Sequence, residues 1–322
     1  MPDMPPRSYR EAGVDIDRAD KLVDFIKGLK SRAISSQIGG FAGSVPLDLR
    51  GLKEPLLLTT CDGVGTKLLV AKQLGRYDTV GIDLVAMSVN DLAVCGADPV
   101  SFQDYIACGR IEETILEPVL RGIAAGCELA DCPLTGGETA ELPDMYAEGD
   151  IDLAGFCAGV VERSALLPRL SEIREGDAVL AIPSTGIHSN GFSLARKVLD
   201  PDTEWAELLT PTRIYVRELR ALRATGALLA AAHITGSGLE GNIPRVLPPG
   251  LTAALDYKWP VPEVFGRIQR KARISDEEMR RVFNLGLGIV LVTPAESVPS
   301  MHRAAEAAGF SLLEAGRIAA IR

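Results

Sequence analysis

The sequence predicts a mixed α/β (α+β) protein of two domains, and three observations carry that reading. Its 322 residues exceed what a single domain of about 150 residues holds. Apolar residues make up 47% and charged residues 24%, so a sizeable core can be buried and disorder is excluded. Helical and strand patterns alternate, and a stretch rich in charge, proline and glycine interrupts them from Pro168 to Gly176. The boundary placed there divides the chain into residues 1–167 and 168–322.

The elements follow in order. Ala19, Leu22, Val23, Ile26 and Leu29 recur at helical spacing and leave Asp20, Asp24 and Lys27 on another face. A loop containing Gly39, Gly40 and Gly43 follows, then a buried strand from Pro55 to Cys61 that runs into Asp62, Gly63, Val64, Gly65, Thr66 and Lys67. Ile82 to Val94 reads as a helix with Asp83, Asn90 and Asp91 off its apolar face, and Ile115 to Leu129 as a second. Thr135 to Glu141 reads as a glycine-rich ligand loop or turn, and Asp152 to Val161 as a strand. In the second half the clearest strands are Ala178 to Ile182 and Gly288 to Val292.

The formal charge of -9 argues against a nucleic-acid partner held by a basic surface, so any bound phosphate must be met locally. Met1 to Arg10 has no apolar core, and Ala224 to Leu239, a long uncharged stretch, is broken by Gly, Thr and His. Neither a signal peptide nor a membrane span is expected. The six cysteines form no C-x-x-C pair, and His188, His233 and His302 are far apart. This disfavours a disulfide framework and a zinc site and fits a reducing cytoplasm.

Several residues can carry chemistry, each with a plainer alternative. Gly236, Gly238 and Gly241 match G-x-G-x-x-G, but Pro244, Pro248 and Pro249 forbid the long helix that a dinucleotide site needs. Asp62 beside Gly63 and Gly65 suits a metal-bound triphosphate and equally an ordinary Asp-Gly turn. Asn90 and Asp91 are poor helix formers among apolar neighbours, hence either a site or a satisfied buried pair. Asp83 and Asp91 stand roughly 12 Å apart along a helix, which makes Asp62 the better partner for Asp91. Lys27 fits an exposed ion-pair face as well as a site. Gly136, Gly137 and Glu138 suit a ligand loop or a turn. His188, flanked by Ser189 and Asn190, is a general base, a hydrogen-bond donor to substrate, or a loop histidine.

Together the segments choose among these. The chain resembles the phosphoribosylformylglycinamidine cyclo-ligase (aminoimidazole ribonucleotide synthetase) family in YREAGVDI from Tyr9, IGGF from Ile38, CDGVGTK from Cys61, GIDLVAMSVNDL from Gly81 and GGETAELP from Gly136. The match continues through DLAGFCAGVVE from Asp152, HSNGFSLARK from His188, PTRIYV from Pro211, AHITGSGLEGNIPR from Ala232 and FNLGLG from Phe283. The resemblance implies an ATP-dependent ligase of purine synthesis that converts formylglycinamidine ribonucleotide into aminoimidazole ribonucleotide, ADP and phosphate. It also implies a two-domain ATP-binding fold whose N-terminal domain forms an intersubunit β-barrel in a homodimer, with an α/β C-terminal domain.

Carried onto this chain, the resemblance implies that Asp62 and Asp91 hold magnesium and that Lys27, Glu138 and His188 are catalytic. It assigns ATP to Lys27, Asp62, Gly63, Gly65, Thr66, Lys67, Asp91, Gly136, Gly137 and Glu138, and the second substrate to His188, Ser189 and Asn190. The requirement for a monovalent cation stays open. Three positions depart from the family's usual residues: Cys61 stands for threonine, Ser237 for glycine and Gly241 for glutamate.

Rival readings are fewer. Selenophosphate synthetase would need a cysteine before Cys61, and the carbamoyl-dehydrating hydrogenase maturation protein one after Cys157. Thiamine phosphate kinase lacks the HSNG and AHITG runs in this form. A non-catalytic binding module has little use for Asp62, Asp91 and Lys27 together.

Overall fold

The segment VGIDLVAMSVNDLAV is apolar on almost every side, so it is stable as a helix only if other elements surround it. The computed structural model, which describes Ser8 and residues 13–321, surrounds it. Residues 9–12 of the YREAGVDI run lie outside the described residues.

The first half runs α1 (Ile16–Gly28), β1 (Pro55–Gly63), α2 (Lys67–Leu74), α3 (Val80–Val94), β2 (Asp98–Cys108), α4 (Glu113–Leu129), β3 (Leu134–Glu141) and β4 (Ile151–Glu162). The second runs β5 (Ala178–Pro183), α5 (Phe192–Val198), α6 (Trp205–Leu208), α7 (Val216–Arg223), β6 (Ala230–His233), α8 (Gly238–Asn242), β7 (Leu251–Leu255), α9 (Glu263–Ala272), α10 (Asp276–Val282), β8 (Leu287–Thr293), α11 (Val298–Ala307) and β9 (Leu313–Ala320). The strands form two sheets, β1-β4-β2-β3 and β6-β8-β5-β9-β7. Residues 166–177 are irregular and connect them.

Helix α3 is the hub. It lies across the first sheet, packs against α4 behind, and meets α7 and β6 of the second half. Its approach to α4 depends on glycine, since a Cβ on Gly81 would stand 2.1 Å from the Val119 carbonyl oxygen. The second half clamps on from outside through α7. Arg217 and Arg220 reach Asp131, and Arg220 and Arg223 reach Asp98, at 2.7–3.4 Å.

The first sheet has two unlike faces. On β1, Leu56 and Leu58 pack into the core, whereas Leu57 is 65% exposed. The open face continues across β4, where Phe156 is 46% exposed and pairs with Cys61.

One expectation is corrected here. Thr135 to Glu141 is not a loop or turn but most of strand β3, parallel to β2 in the register Asp104↔Gly137 and Tyr105↔Glu138. Gly137 serves packing: a Cβ there would lie 2.5 Å from Asp104 Oδ1. Strand β2 itself has no counterpart among the sequence-based elements, because its polar residues Ser101, Gln103 and Asp104 break a simple apolar run.

Substituting Gly81→Ala will force α3 and α4 apart, because the atoms it meets are backbone and cannot rotate away. The expected loss is about 2–3 kcal/mol or more, read as a lower midpoint in denaturant unfolding.

Candidate active site

The end of β1, the C-terminal half of α3 and the end of β6 converge on one cleft. Asp62 is half-buried, and its Oδ1 accepts the Gly63 N–H at 2.7 Å. Burial pushes its carboxyl above the usual range. The Gly63 N–H opposes that shift, and the nearby Asp91 adds to it. Asp91 is 42% exposed, and its Oδ1 meets His233 Nδ1 at 2.9 Å. Two like charges held close together, one of them with a spare oxygen, favour a cation between them.

Among the described residues no group of three or more His, Cys, Asp or Glu could hold a metal ion alone. Two carboxylates are nevertheless the usual protein contribution to magnesium, whose other ligands are water and substrate phosphates. Asp62 and Asp91 fit that demand. The Gly63 to Thr66 turn beside them leaves room, since Gly65 adopts φ +66° with nothing within 4 Å of a would-be Cβ.

The remaining assigned residues fall into two other places. Asp62, Gly155, Asp104 and Gly137 form one row across the sheet, and paired residues project to the same face. That face is the α3 side. Glu138 lies one residue on, paired with Tyr105, and therefore projects to the open face and is exposed. The expected grouping of Glu138 with Asp62 and Asp91 is thus not formed within one chain. β3 also lies three strand spacings from β1, roughly 14 Å. Gly136 and Lys27 belong to that far edge. The Nζ of Lys27 lies over Gly39 in the IGGF loop, 3.1 Å from a would-be Cβ, and the loop's other end packs Gly43 against Thr135.

Lys67 and Ser189, expected to meet ATP and substrate, are both engaged in contacts within the protein. Lys67 is fully buried, with Nζ 2.8 Å from Asp83 Oδ2 and donating to the carbonyls of His188 and Thr210 at 3.1 and 2.8 Å. Burial pulls this ammonium below its usual range and Asp83 opposes the shift. Ser189 Oγ donates to Asp83 Oδ1 at 3.1 Å, where Thr212 also donates through N and Oγ1 at 2.7 and 2.6 Å. Thr66 remains exposed, with Oγ1 near Ser193.

Of the roles left open for His188, its surroundings suit hydrogen-bond donation. It is 1% exposed, and burial, reinforced by the charges of its neighbours, holds it well below the usual histidine range and so neutral. Its Nε2 accepts the Thr185 N–H at 3.2 Å, so Nδ1 bears the proton, and Nδ1 is buried with no partner among the described residues. The buried Nδ2 of Asn190 likewise has none, and its Oδ1 faces Gly236. These two are the ligand-ready donors of the HSNG run.

Sequence reasoning missed His233 and Asp104. His233 sits in the AHIT run, the only signal that could have found it. The positions of two expected departures are in contact, because a Cβ on Gly241 would stand 2.2 Å from Ser237 Cβ. Cys61 lies exposed on the open face opposite Phe156.

The two-sheet α/β architecture is shared with solved proteins. HypE of E. coli, a hydrogenase maturation protein, aligns with a TM-score of 0.70 at 14% identity over 96% of this chain and 92% of that one. Thiamine-monophosphate kinase from Stenotrophomonas maltophilia K279a aligns with a TM-score of 0.59 at 22% identity over 84% of each. The chain is a member of the AIR synthase related class: residues 49–161 match the model of the AIR synthase related protein N-terminal domain and 174–320 that of its C-terminal domain. A phosphoribosylformylglycinamidine cyclo-ligase of Burkholderia pseudomallei (strain 668) is 48% identical over 100% of this chain and 95% of its own length. One from Myxococcus xanthus (strain DK1622) is 46% identical over 97% and 96%. This chain belongs to the phosphoribosylformylglycinamidine cyclo-ligase family, a family of ligases. The preference for that family over the hydrogenase maturation protein and the kinase is borne out.

Two predictions follow from this geometry. Burial pushes the Asp104 carboxyl up to about 7 from 3.8, so stability that is intact below pH 4 is lost as pH rises through 7. Asp104→Asn will remove that decline, gaining roughly 2–3 kcal/mol on the wild type between pH 5 and pH 8 in paired unfolding curves. Gly241→Glu alone will destabilise by about 1–3 kcal/mol, and adding Ser237→Gly will restore most of it, a non-additive pair in a double-mutant cycle.

Proposed function

We propose that this chain catalyses ATP-dependent cyclisation of formylglycinamidine ribonucleotide to aminoimidazole ribonucleotide, with release of ADP and phosphate. The observation that carries the proposal is the full-length match to curated cyclo-ligases at 46–48% identity, together with Asp62 and Asp91 at one cleft. An amide oxygen leaves poorly, and transfer of the γ-phosphoryl group to it makes phosphate the leaving group when nitrogen attacks the formyl carbon.

Asp62 and Asp91 would hold magnesium against the triphosphate, with the Gly63 to Thr66 turn giving the phosphates access. Magnesium, when bound, neutralises the triphosphate and part of the charge that develops during transfer. His188 Nδ1–H and Asn190 Nδ2 would donate to polar groups of the ribonucleotide, fixing the nitrogen near the carbon it attacks. Lys27, beside the IGGF loop, and Glu138, on the β3 edge with Gly136 and Gly137, would meet the rest of the nucleotide, since an extended nucleotide matches the scale of their separation from Asp62.

We further infer a homodimer through the open face of the first sheet. Exposed Leu57 and Phe156 and the unpaired edge of β1 support this reading. The six free cysteines fit a cytoplasmic protein. Among the described residues no helix is long and apolar enough to cross a membrane.

The test is the purified chain given magnesium, ATP and substrate carrying heavy oxygen in the formyl group. Ring formation should deliver the label to inorganic phosphate, about one atom per ring by the stoichiometry of phosphoryl transfer. Asp62→Asn and Asp91→Asn should each lower turnover about 100-fold or more while melting like the wild type. Label in water with none in phosphate would overturn the role given to ATP.

A further inference from the structure

We propose that His233 is a positioning residue that fixes the Asp91 carboxylate for magnesium, so that the second half of the chain completes a metal site built on the first. The proposal rests on the reading of Asp91 as a magnesium residue.

The hydrogen bonds fix the tautomer. Asn90 Oδ1 accepts the Tyr215 N–H at 2.8 Å, and its Nδ2 donates to the Arg213 carbonyl at 2.9 Å, so the amide can face only one way. That orientation places Nδ2, a donor, 3.5 Å from His233 Nε2. Nε2 is therefore the accepting nitrogen and Nδ1 carries the proton. Nδ1–H points at Asp91 Oδ1, 2.9 Å away. The chain of donors runs from the Asn90 amide through the imidazole to the carboxylate.

The environment makes this bond a constraint. The His233 side chain is 2% exposed, whereas that of Asp91 is 42% exposed. His233 closes β6 in register with Ile289 of β8, so its backbone is held by the second sheet. Asp91 Oδ1 is thus tied to a rigid donor, and Oδ2 has no hydrogen bond among the described residues. A carboxylate with one oxygen anchored and the other free offers one ligand in one direction, which a small ion with a strict octahedral shell requires. A histidine donating to a ligating carboxylate orients it and sets its charge distribution.

The experiment titrates magnesium ion into the full chain saturated with a non-hydrolysable ATP analogue, followed by calorimetry, for the wild type, His233→Asn, His233→Gln and Asp91→Asn. Asparagine places an amide donor near the Nδ1 position, and glutamine places its own near Nε2. His233→Gln should weaken magnesium about tenfold or more, His233→Asn should stay within about threefold, and analogue affinity without magnesium should be unchanged in both.

Wild-type magnesium affinity in His233→Gln, or equal loss in both variants, overturns the positioning role. Unchanged affinity in Asp91→Asn overturns instead the metal reading on which it rests. Should a variant fail to fold, nitrogen NMR of the wild type decides. The Nδ1–H tautomer of His233, with its resonance moving on magnesium addition, is expected, and an Nε2–H tautomer overturns the proposal.

Discussion

Lys67 and Asp83 meet at 2.8 Å with neither side chain reached by solvent, and the relation between the two halves of the molecule depends on that contact. Two buried charges are costly unless every remaining donor and acceptor is used, and here the neighbours supply what is missing. The His188 and Thr210 carbonyls take the ammonium protons, and Ser189 and Thr212 satisfy the carboxylate. Lys67 and Asp83 come from the first half, and every other member from the second. The HSNG turn and the PTRIY strap are thereby seated on α2 and α3, which leaves the donors of His188 and Asn190 in a fixed place. Asn90, two turns further along α3, holds the strap's other end.

The same interaction explains where sequence reading succeeded and where it failed. Helices α1, α3 and α4 and strands β1, β4, β5 and β8 were legible because burial imposes a local period on their side chains. Strand β3 was not, because glycines at 136 and 137 look like a turn until the Asp104 carboxyl that occupies the missing side chain of Gly137 is known. In the site, the closeness of Asp62 and Asp91 could be reached by ruling out Asp83 on helical rise alone. The contacts of Lys67 and Ser189 with Asp83 were not legible, since membership of a motif says nothing about which way a side chain turns. His233 was invisible as a partner of Asp91 because 142 residues separate them.

The first sheet distributes chemistry by parity. Asp62 and Gly137 share the helix-covered face, and the next residue, Glu138, is on the other. Gly137 therefore admits Asp104 on one side, while strand alternation sends the acid that follows to the other. Moving that acid by a single position would set it against a carboxyl already pushed up to about 7.

The contact between positions 237 and 241 also limits how this sequence can vary. The resemblance implies glycine and glutamate as the usual residues at these positions, and on this backbone the two sites are sterically coupled. Serine facing a larger residue at 241 would meet it at 2.2 Å between β-carbons. On this backbone, serine at 237 and any residue larger than glycine at 241 are alternatives rather than companions, so the two positions can be varied only as a unit.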